Sequence, residues 1–386
     1  MPNTLTALAP TLFSVAKEVA QEPVGALNSI NMNFDSKGVA IGDAVTVPVA
    51  PAAAVTDFTP AMTQSSGSDK IAESVSVTID KNQVTSWHLT GEQQRSLENC
   101  ESPMTQEWVR QLIGQGMRAL RNAAETAACS AIYTGASRAY GTAGTTPFAT
   151  TIDEIPNVYK ILKDNGAPMA DLQMVVNTSA GLNLRKLGII QQADQAGSDS
   201  ERRTGQFLRQ FGFQIKESAG IASHTKGTAT GADTVAAGES VGQTVLSMEG
   251  SNSGTVLAGD VVTFSNHSTV KYVVNDGSTL SGAAGGAGNI IIGRPGLRTA
   301  IADATEMTIG DSYTANIAFE RSAVVGVVRP PIIPDSPIIK KMIITDPLGM
   351  SYLLTETVGY GMITWALHLA YGFKVVNSEF VVNLLG

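Results

Sequence analysis

Side chains able to do acid-base or metal chemistry are thinly spread in this chain of 386 residues. The four histidines, His88, His224, His267 and His368, lie far apart, and none has the i, i+4 or Cys-x-x-Cys spacing that brings metal ligands onto one face. They read as satisfied surface or strand residues. No GxxxxGK phosphate loop, GxSxG elbow or HExxH helix is present. The glycines of GAAGGAG (282–288) do not follow a strand and open a helix, as a dinucleotide loop must, so they read as a flexible tip.

Glu92, Glu98 and Glu101 cluster beside Arg95 near a helix start, where carboxylates meet the positive end of the helix dipole on a solvated face. Cys129 sits among alanines with no neighbouring His or Lys to lower its pKa, which suits a buried small hydrophobe better than a nucleophile. Asn177-Thr178-Ser179 and Asn266-His267-Ser268 match glycosylation acceptors only in a secreted chain. No catalytic, cofactor-binding or metal-ligating residue is nominated, and the expectation is a protein that is not an enzyme and needs no cofactor.

Composition points the same way. Hydrophobic residues make up 43% and charged residues 16%, against roughly 25% charged in ordinary soluble domains. Such a deficit suggests surface destined to be covered by other subunits. A net charge of -8 opposes a nucleic-acid grip, which needs a basic footprint to displace counterions. The N-terminus has no basic region leading into a long apolar stretch, and no run reaches the roughly 18 apolar residues of a membrane helix, so neither signal peptide nor membrane partner is expected. Two cysteines, Cys100 and Cys129, make no disulfide framework and fit a reducing cytoplasm.

The elements follow from punctuation and periodicity. Residues 1–40 are short apolar clusters broken by Pro10, Pro23, Gly25 and Gly38, an extended arm with one short helix near 10–20. Pro48, Pro51 and Pro60 make 41–60 an edge strand or loop. Val75, Val77 and Ile79 alternate with polar residues and are followed, after Asp80-Lys81-Asn82, by the run Val84–Leu89, and together these predict a long two-stranded loop. Ser102-Pro103 is a helix start. Trp108, Leu112, Ile113, Met117, Leu120, Ala124, Ala127 and Ile132 then form one stripe. Glu107, Arg110, Arg118, Arg121 and Glu125 fall on other faces, and Gly135 ends the run. At 1.5 Å per residue this is a rod of roughly 45 Å.

Thr151 to Glu154 has capping-box spacing for a helix ending at Asn165-Gly166. Leu172–Val176 reads as a strand, Thr178–Leu187 as a helix, and Phe211-Gly212-Phe213 precedes another strand. From about 224 to 312 the chain is rich in Gly, Ala, Ser and Thr between short β-runs, an all-β insertion with Val261, Phe264, Tyr272, Val274 and Ile291 as its core. The last stretch, TETVGYGMITWALHLAYGFKVVNSEFVVNLLG, carries two β-runs around a tight break at Tyr371-Gly372-Phe373.

The order arm, long loop, long helix, α/β segment, β insertion and β-rich return resembles the major capsid proteins of tailed bacteriophages. The stretches that carry the resemblance are VSVTIDKNQVTSWHLTGEQQRSL, GQFLRQFGFQIKESAGI, NIAFERSAVVGVVRPP and LHLAYGFKVVNSEFVVNLLG. The nearest likeness is to the podovirus coat proteins of Salmonella-type phages, whose Hong Kong 97-type α+β fold carries an inserted β-barrel. TVLAGDVVTFSNHSTVKYVVNDG and NIIIGRPGL resemble that insertion.

The resemblance implies an N-terminal arm (1–40), an extended β-loop (41–95), a spine helix and peripheral domain (96–150), the first part of an axial domain (151–223), an inserted β domain (224–314) and a β-rich axial and peripheral return (315–386). It implies a coat protein that self-assembles, as hexamers and pentamers, into an icosahedral virion shell around phage double-stranded DNA without sequence-specific binding. Assembly in the bacterial host cytoplasm is implied, with a separate scaffolding protein, a portal and room for a decoration protein as partners. The alternatives are an encapsulin-like compartment, another phage structural protein such as a tail tube, and an enzyme with an unrecognised site.

Overall fold

A computed structural model of the chain describes residues 24–34, 38–49, 73–93, 95, 103–187, 209–229, 233–235, 238–249, 254–280, 288–346 and 348–386, with 103–110 described along the backbone alone. The short helix expected near 10–20, Glu98, Cys100, Glu101 and most of the GAAGGAG tip lie outside these residues. None of the described helices is long and apolar enough to cross a membrane.

Helix α1, Pro103–Thr134, is the longest element at 32 residues, about 48 Å at 1.5 Å per residue. It lies on a six-stranded sheet built around the 14-residue strand Met362–Val375. Lys81–Thr90 pairs along one side of that strand, while Ser351–Val358 and Val324–Arg329 follow one another along the other side. Ile339–Thr345 and Asn31–Phe34 complete the sheet. Period-2 alternation turns Leu367, Leu369 and Tyr371 toward α1, where Ile113, Met117, Leu120, Ala124 and Ile132 meet them in the largest apolar cluster. On the opposite face Val77, Ile79, Val325, Val327 and Ala370 form a smaller cluster under the hairpin of Ala44–Val49 and Glu73–Thr78.

A second sheet is buried on both faces. Its strands Arg138–Tyr140, Val381–Leu385, Tyr313–Glu320, Leu172–Asn177 and Phe213–Ser218 lie side by side in that order. Val175, Ile317, Phe319, Val381 and Leu385 point into the α1 cluster. Met174, Val176, Ala318, Val382 and Leu384 point the other way, against helix α2 (Glu154–Asp164) and helix α3 (Thr178–Lys186). Double burial explains near-continuous apolar runs such as VVNLL.

Residues beyond His224 form a ring of six strands. Val261–Phe264, Glu306–Ile309, Asp233–Val235, Val245–Glu249, Gly288–Ile292 and Lys271–Asp276 pair in turn, and the last pairs back to the first. The ring has its own cluster, with Leu246, Met248, Phe264, Tyr272 and Val274 inside. It is also continuous with the second sheet, since Lys271 and Tyr272 pair with Ala139 and Arg138.

Several sequence expectations are corrected. Val75–Ile79 and Val84–Leu89 do not pair with each other: Glu73–Thr78 pairs with Ala44–Val49, and Lys81–Thr90 with Met362–Tyr371. Ile79 donates its N–H to the Asp43 carbonyl at 3.0 Å, which ends the hairpin and passes the chain to the next sheet. Alternation marks a half-buried strand but does not choose its partner. Tyr371-Gly372-Phe373 is no break either; one strand runs through it. Gly372 is there because a Cβ would strike the Thr78 carbonyl of the hairpin above.

The capping box does not form: Glu154 instead accepts the N–H of Phe148 at 3.3 Å, and the cap residue Asp153 makes no side-chain cap bond. The helix does end at Asn165-Gly166, with Gly166 at φ +79. In the ring, Ile290 and Ile292 are buried and Ile291 is exposed, and Val261 packs into the α1 cluster instead. A one-residue error of parity turns every side chain over.

Candidate functional site

Three buried polar contacts tie distant segments together, and all use residues from α1 or the neck of the ring. Arg121 and Glu125 are buried, although helical spacing puts them off the apolar stripe. The reason is that α1 is covered on more than one side. Glu125 lies under the segment 24–30 and accepts the N–H groups of Ala26 (2.7 Å) and Leu27 (2.9 Å) and the hydroxyl of Ser218 (2.6 Å). One carboxylate thereby satisfies the orphan donors of a single helical turn, which leads into the edge strand Asn31–Phe34.

Arg121 faces Asp346 at 3.7 Å, with both side chains 2% exposed. Burial pushes the Asp346 carboxyl above its ordinary range, and the guanidinium opposes that shift without cancelling it. Tyr352 beside them is raised by burial and then by the Asp346 charge. Cys129, one turn beyond Glu125, is buried; desolvation and then the Glu125 charge push its thiol well above the usual range, so it is not a thiolate nucleophile.

The third contact closes the neck of the ring. His224 Nε2 lies 2.8 Å from Asp260 Oδ1, and its Nδ1 is 3.4 Å from the Tyr133 hydroxyl at the end of α1. Asp260 also accepts the N–H of Gly227 and, at 2.7 Å, that of Leu257. Tyr313, on the outgoing strand, packs at a tilt against His224 and donates to the Gly259 carbonyl at 2.7 Å. A base held by a carboxylate is the orienting half of a hydrolytic triad. Here both ring nitrogens are engaged, by Tyr133 and Asp260, and among the described residues neither is hydrogen-bonded to a Ser or Cys, so the arrangement is a structural knot. Sequence spacing of 36 residues gave no sign of it.

The other histidines stay apart. His88 is exposed on Lys81–Thr90, His267 lies in a short 3-10 turn, and His368 hydrogen bonds Thr355 Oγ1 at 3.2 Å. Among the described residues no group of three or more His, Cys, Asp and Glu could hold a metal. Asn177 caps α3 by accepting the N–H of Ser179 at 2.9 Å.

Exposed apolar side chains are the remaining feature with functional content. Tyr360 stands fully exposed at the turn between Ser351–Val358 and Met362–Val375, flanked by Val358 and Met362. Ile41 lies at the base of the Ala44–Val49 hairpin, Ile332 and Ile338 on the loop before Ile339–Thr345, and Val241, Val245 and Ile291 on the ring. Val358 donates its N–H to the Ile338 carbonyl at 3.3 Å and Ile332 its N–H to the Val39 carbonyl at 3.0 Å, so these side chains gather at three places: the Tyr360 turn, the 39–41 segment and the ring.

No protein-family model and no curated protein matches the chain. Solved structures do. One from Mycobacterium phage Che8 is 15% identical over 89% of this chain and 84% of that chain, at a TM-score of 0.46. The capsid structure of the cyanophage P-SCSP1u is 13% identical, covering 94% and 88%, at 0.49. A virus-like particle from Pyrococcus furiosus is 8% identical, covering 98% of both chains, at 0.46.

Proposed function

We infer that this chain is a major capsid protein of the tailed-phage, Hong Kong 97 type, many copies of which close into an icosahedral shell around double-stranded DNA. The observation that carries this reading is that exposed apolar side chains gather at three places: Ile338, Val358, Tyr360 and Met362 at the Tyr360 turn, Ile41 and Ile332 beside the Ala44–Val49 hairpin, and Val241, Val245 and Ile291 on the ring. A dimer buries one patch. A chain that carries several has surface for several neighbours at once, and different surfaces meeting head to tail close into rings and shells. The low charged fraction of 16% supports the same account.

In this reading α1 is the spine of a peripheral domain, the hairpin Ala44–Val49 with Glu73–Thr78 is the base of the extended loop, and the doubly buried sheet with α2 and α3 is the axial domain. Residues 224–314 are the inserted β-barrel, and 1–40 the arm. The partners are further copies of the chain as hexamers and pentamers, a separate scaffolding protein, a portal and a decoration protein. The location is the virion, after assembly in the host cytoplasm. The acidic balance suits a wall that faces packed DNA without gripping it.

Negative-stain electron microscopy of the chain expressed with its neighbouring genes tests the reading. Closed polyhedral shells are expected. Stacked rings or tubes would make it a tail protein, and a monodisperse monomer would remove the structural role altogether.

A further inference from the structure

The two sides of the six-stranded sheet are finished differently. On one side the outermost strand Ile339–Thr345 carries Lys340 and Lys341 and follows Pro337, which are the usual guards against edge pairing. The other side is formed by Lys81–Thr90, which covers ten of the fourteen residues of Met362–Val375. That strand pairs with Met362–Tyr371 through ten consecutive residue pairs without a bulge. Between Asn82 and Leu89 it holds no Lys, Arg, Asp, Glu or Pro. Among the described residues nothing pairs with its outer edge. An antiparallel strand bonded on one side turns the N–H and C=O groups of every second residue outward. A long, flat, unguarded edge of this kind is a template for another strand.

We propose that Lys81–Thr90 is an assembly edge that pairs antiparallel with the same strand of a second copy of this chain across a two-fold axis. The inference rests on the capsid reading above. Two-fold contact is isologous, so the strand must suit itself. It does. A two-fold normal to the sheet keeps each face on its own side, which leaves centres on Thr85 or on Ser86 as the registers of longest overlap. Centred on Ser86, Val84 opposes His88 and Gln83 opposes Leu89; centred on Thr85, Val84 opposes Ser86 and Gln83 opposes Trp87. Neither sets like charges opposite, which would weaken a cross-strand pair.

The outward residues Asn82, Val84, Ser86 and His88 are exposed. On the other face Trp87 and Thr85 lie against α1 at Gly116, so the helix packs over the strand and leaves its edge open. The paired sheets would join into one sheet spanning both copies, with a helix from each copy on the same side.

The test is a set of single-cysteine variants in a Cys100→Ser background, where Cys129 is buried. Thr85→Cys, Ser86→Cys and the control Ile343→Cys are treated with oxidant or a short bismaleimide, then run on denaturing gels beside electron micrographs. The expected result is that whichever of positions 85 and 86 sits on the axis links to itself, at least tenfold more than Ile343→Cys. Shells without a crosslink at 85 or 86 would overturn the edge and leave the capsid reading standing. Crosslinked dimers without shells would support the edge and overturn the capsid reading. Neither shells nor crosslinks would remove both.

Discussion

His224 and Asp260 meet at 2.8 Å with 5% and 0% of their side chains exposed, and together with Tyr133 and Tyr313 they fasten the incoming and outgoing strands of the ring to the end of α1. Asp260 is the hub, because it also accepts the backbone N–H groups of Gly227 and Leu257. Asp260→Ala leaves these donors buried without a partner and should cost about 3–5 kcal/mol. His224→Gln should cost less, since it removes one donor and leaves the rest of the network. Urea unfolding of both variants checks the order; an equal or smaller loss for Asp260→Ala would contradict it.

Glu125→Ala should free the segment 24–34. The carboxylate holds the N–H groups of Ala26 and Leu27 and the Ser218 hydroxyl, and charge-assisted hydrogen bonds contribute about 1.5–3 kcal/mol each. Amide exchange at 26–34 should quicken by more than tenfold while α2 is unchanged. Unaltered protection would mean that pairing with Val324–Arg329 alone holds the segment.

Gly372→Ala should destabilise the chain by about 1–3 kcal/mol, the range for forcing an extra carbon into a packed interior. The added carbon collides with a backbone carbonyl, that of Thr78, which cannot rotate away as a side chain could. Gly361→Ala is the contrast. It has no atom within 4 Å of a built Cβ, but φ is +72, so its cost is backbone strain of about 1 kcal/mol. A thermal melt in which Gly372→Ala matches wild type would mean that the hairpin does not lie on this strand.

Stability should fall in mild acid through His368. Burial lowers its pKa below the ordinary 6.5, so between the lowered value and 6.5 the unfolded chain binds the proton more readily than the folded one. The contribution is complete above pH 6.5 and is lost as pH falls through that window. His368→Gln, which keeps a donor toward Thr355, should flatten the slope of unfolding free energy between pH 7 and pH 5. An unchanged slope would contradict the assignment.

Residues 224–314 should fold when expressed alone, because the ring holds its own apolar cluster and its ends meet, with His224 opposite Tyr313. Lys271 and Tyr272 lose Ala139 and Arg138 in the fragment, so exchange should be fastest along that strand. A disordered amide spectrum would show that the second sheet is required.

Local features of this fold were legible in the sequence; its long-range choices were not. The start of α1 at Pro103, the end of α2 at Gly166 and the alternation of Val75, Val77 and Ile79 depend on neighbours a few residues away. Partner choice depends on the whole packing, which is why the local pattern of Val84–Leu89 points to the preceding strand while its partner lies some 280 residues on, as in Thr85 opposite Leu367. Arg121 and Glu125 fall off the apolar stripe yet are buried, because periodicity assumes one buried face, whereas α1 has more. The His224–Asp260 contact had no signal at all, since two separated residues carry no spacing rule until the neck of the ring brings them together.

Sedimentation velocity of the assembled chain, followed by the same run after dissociation, tests the central claim most directly. The account predicts one fast boundary belonging to a closed shell, which hot detergent without reductant converts to monomers of 40.3 kDa. A protein that sediments as monomer or small oligomer when expressed with its neighbouring genes, or that leaves covalent ladders in detergent, would contradict it.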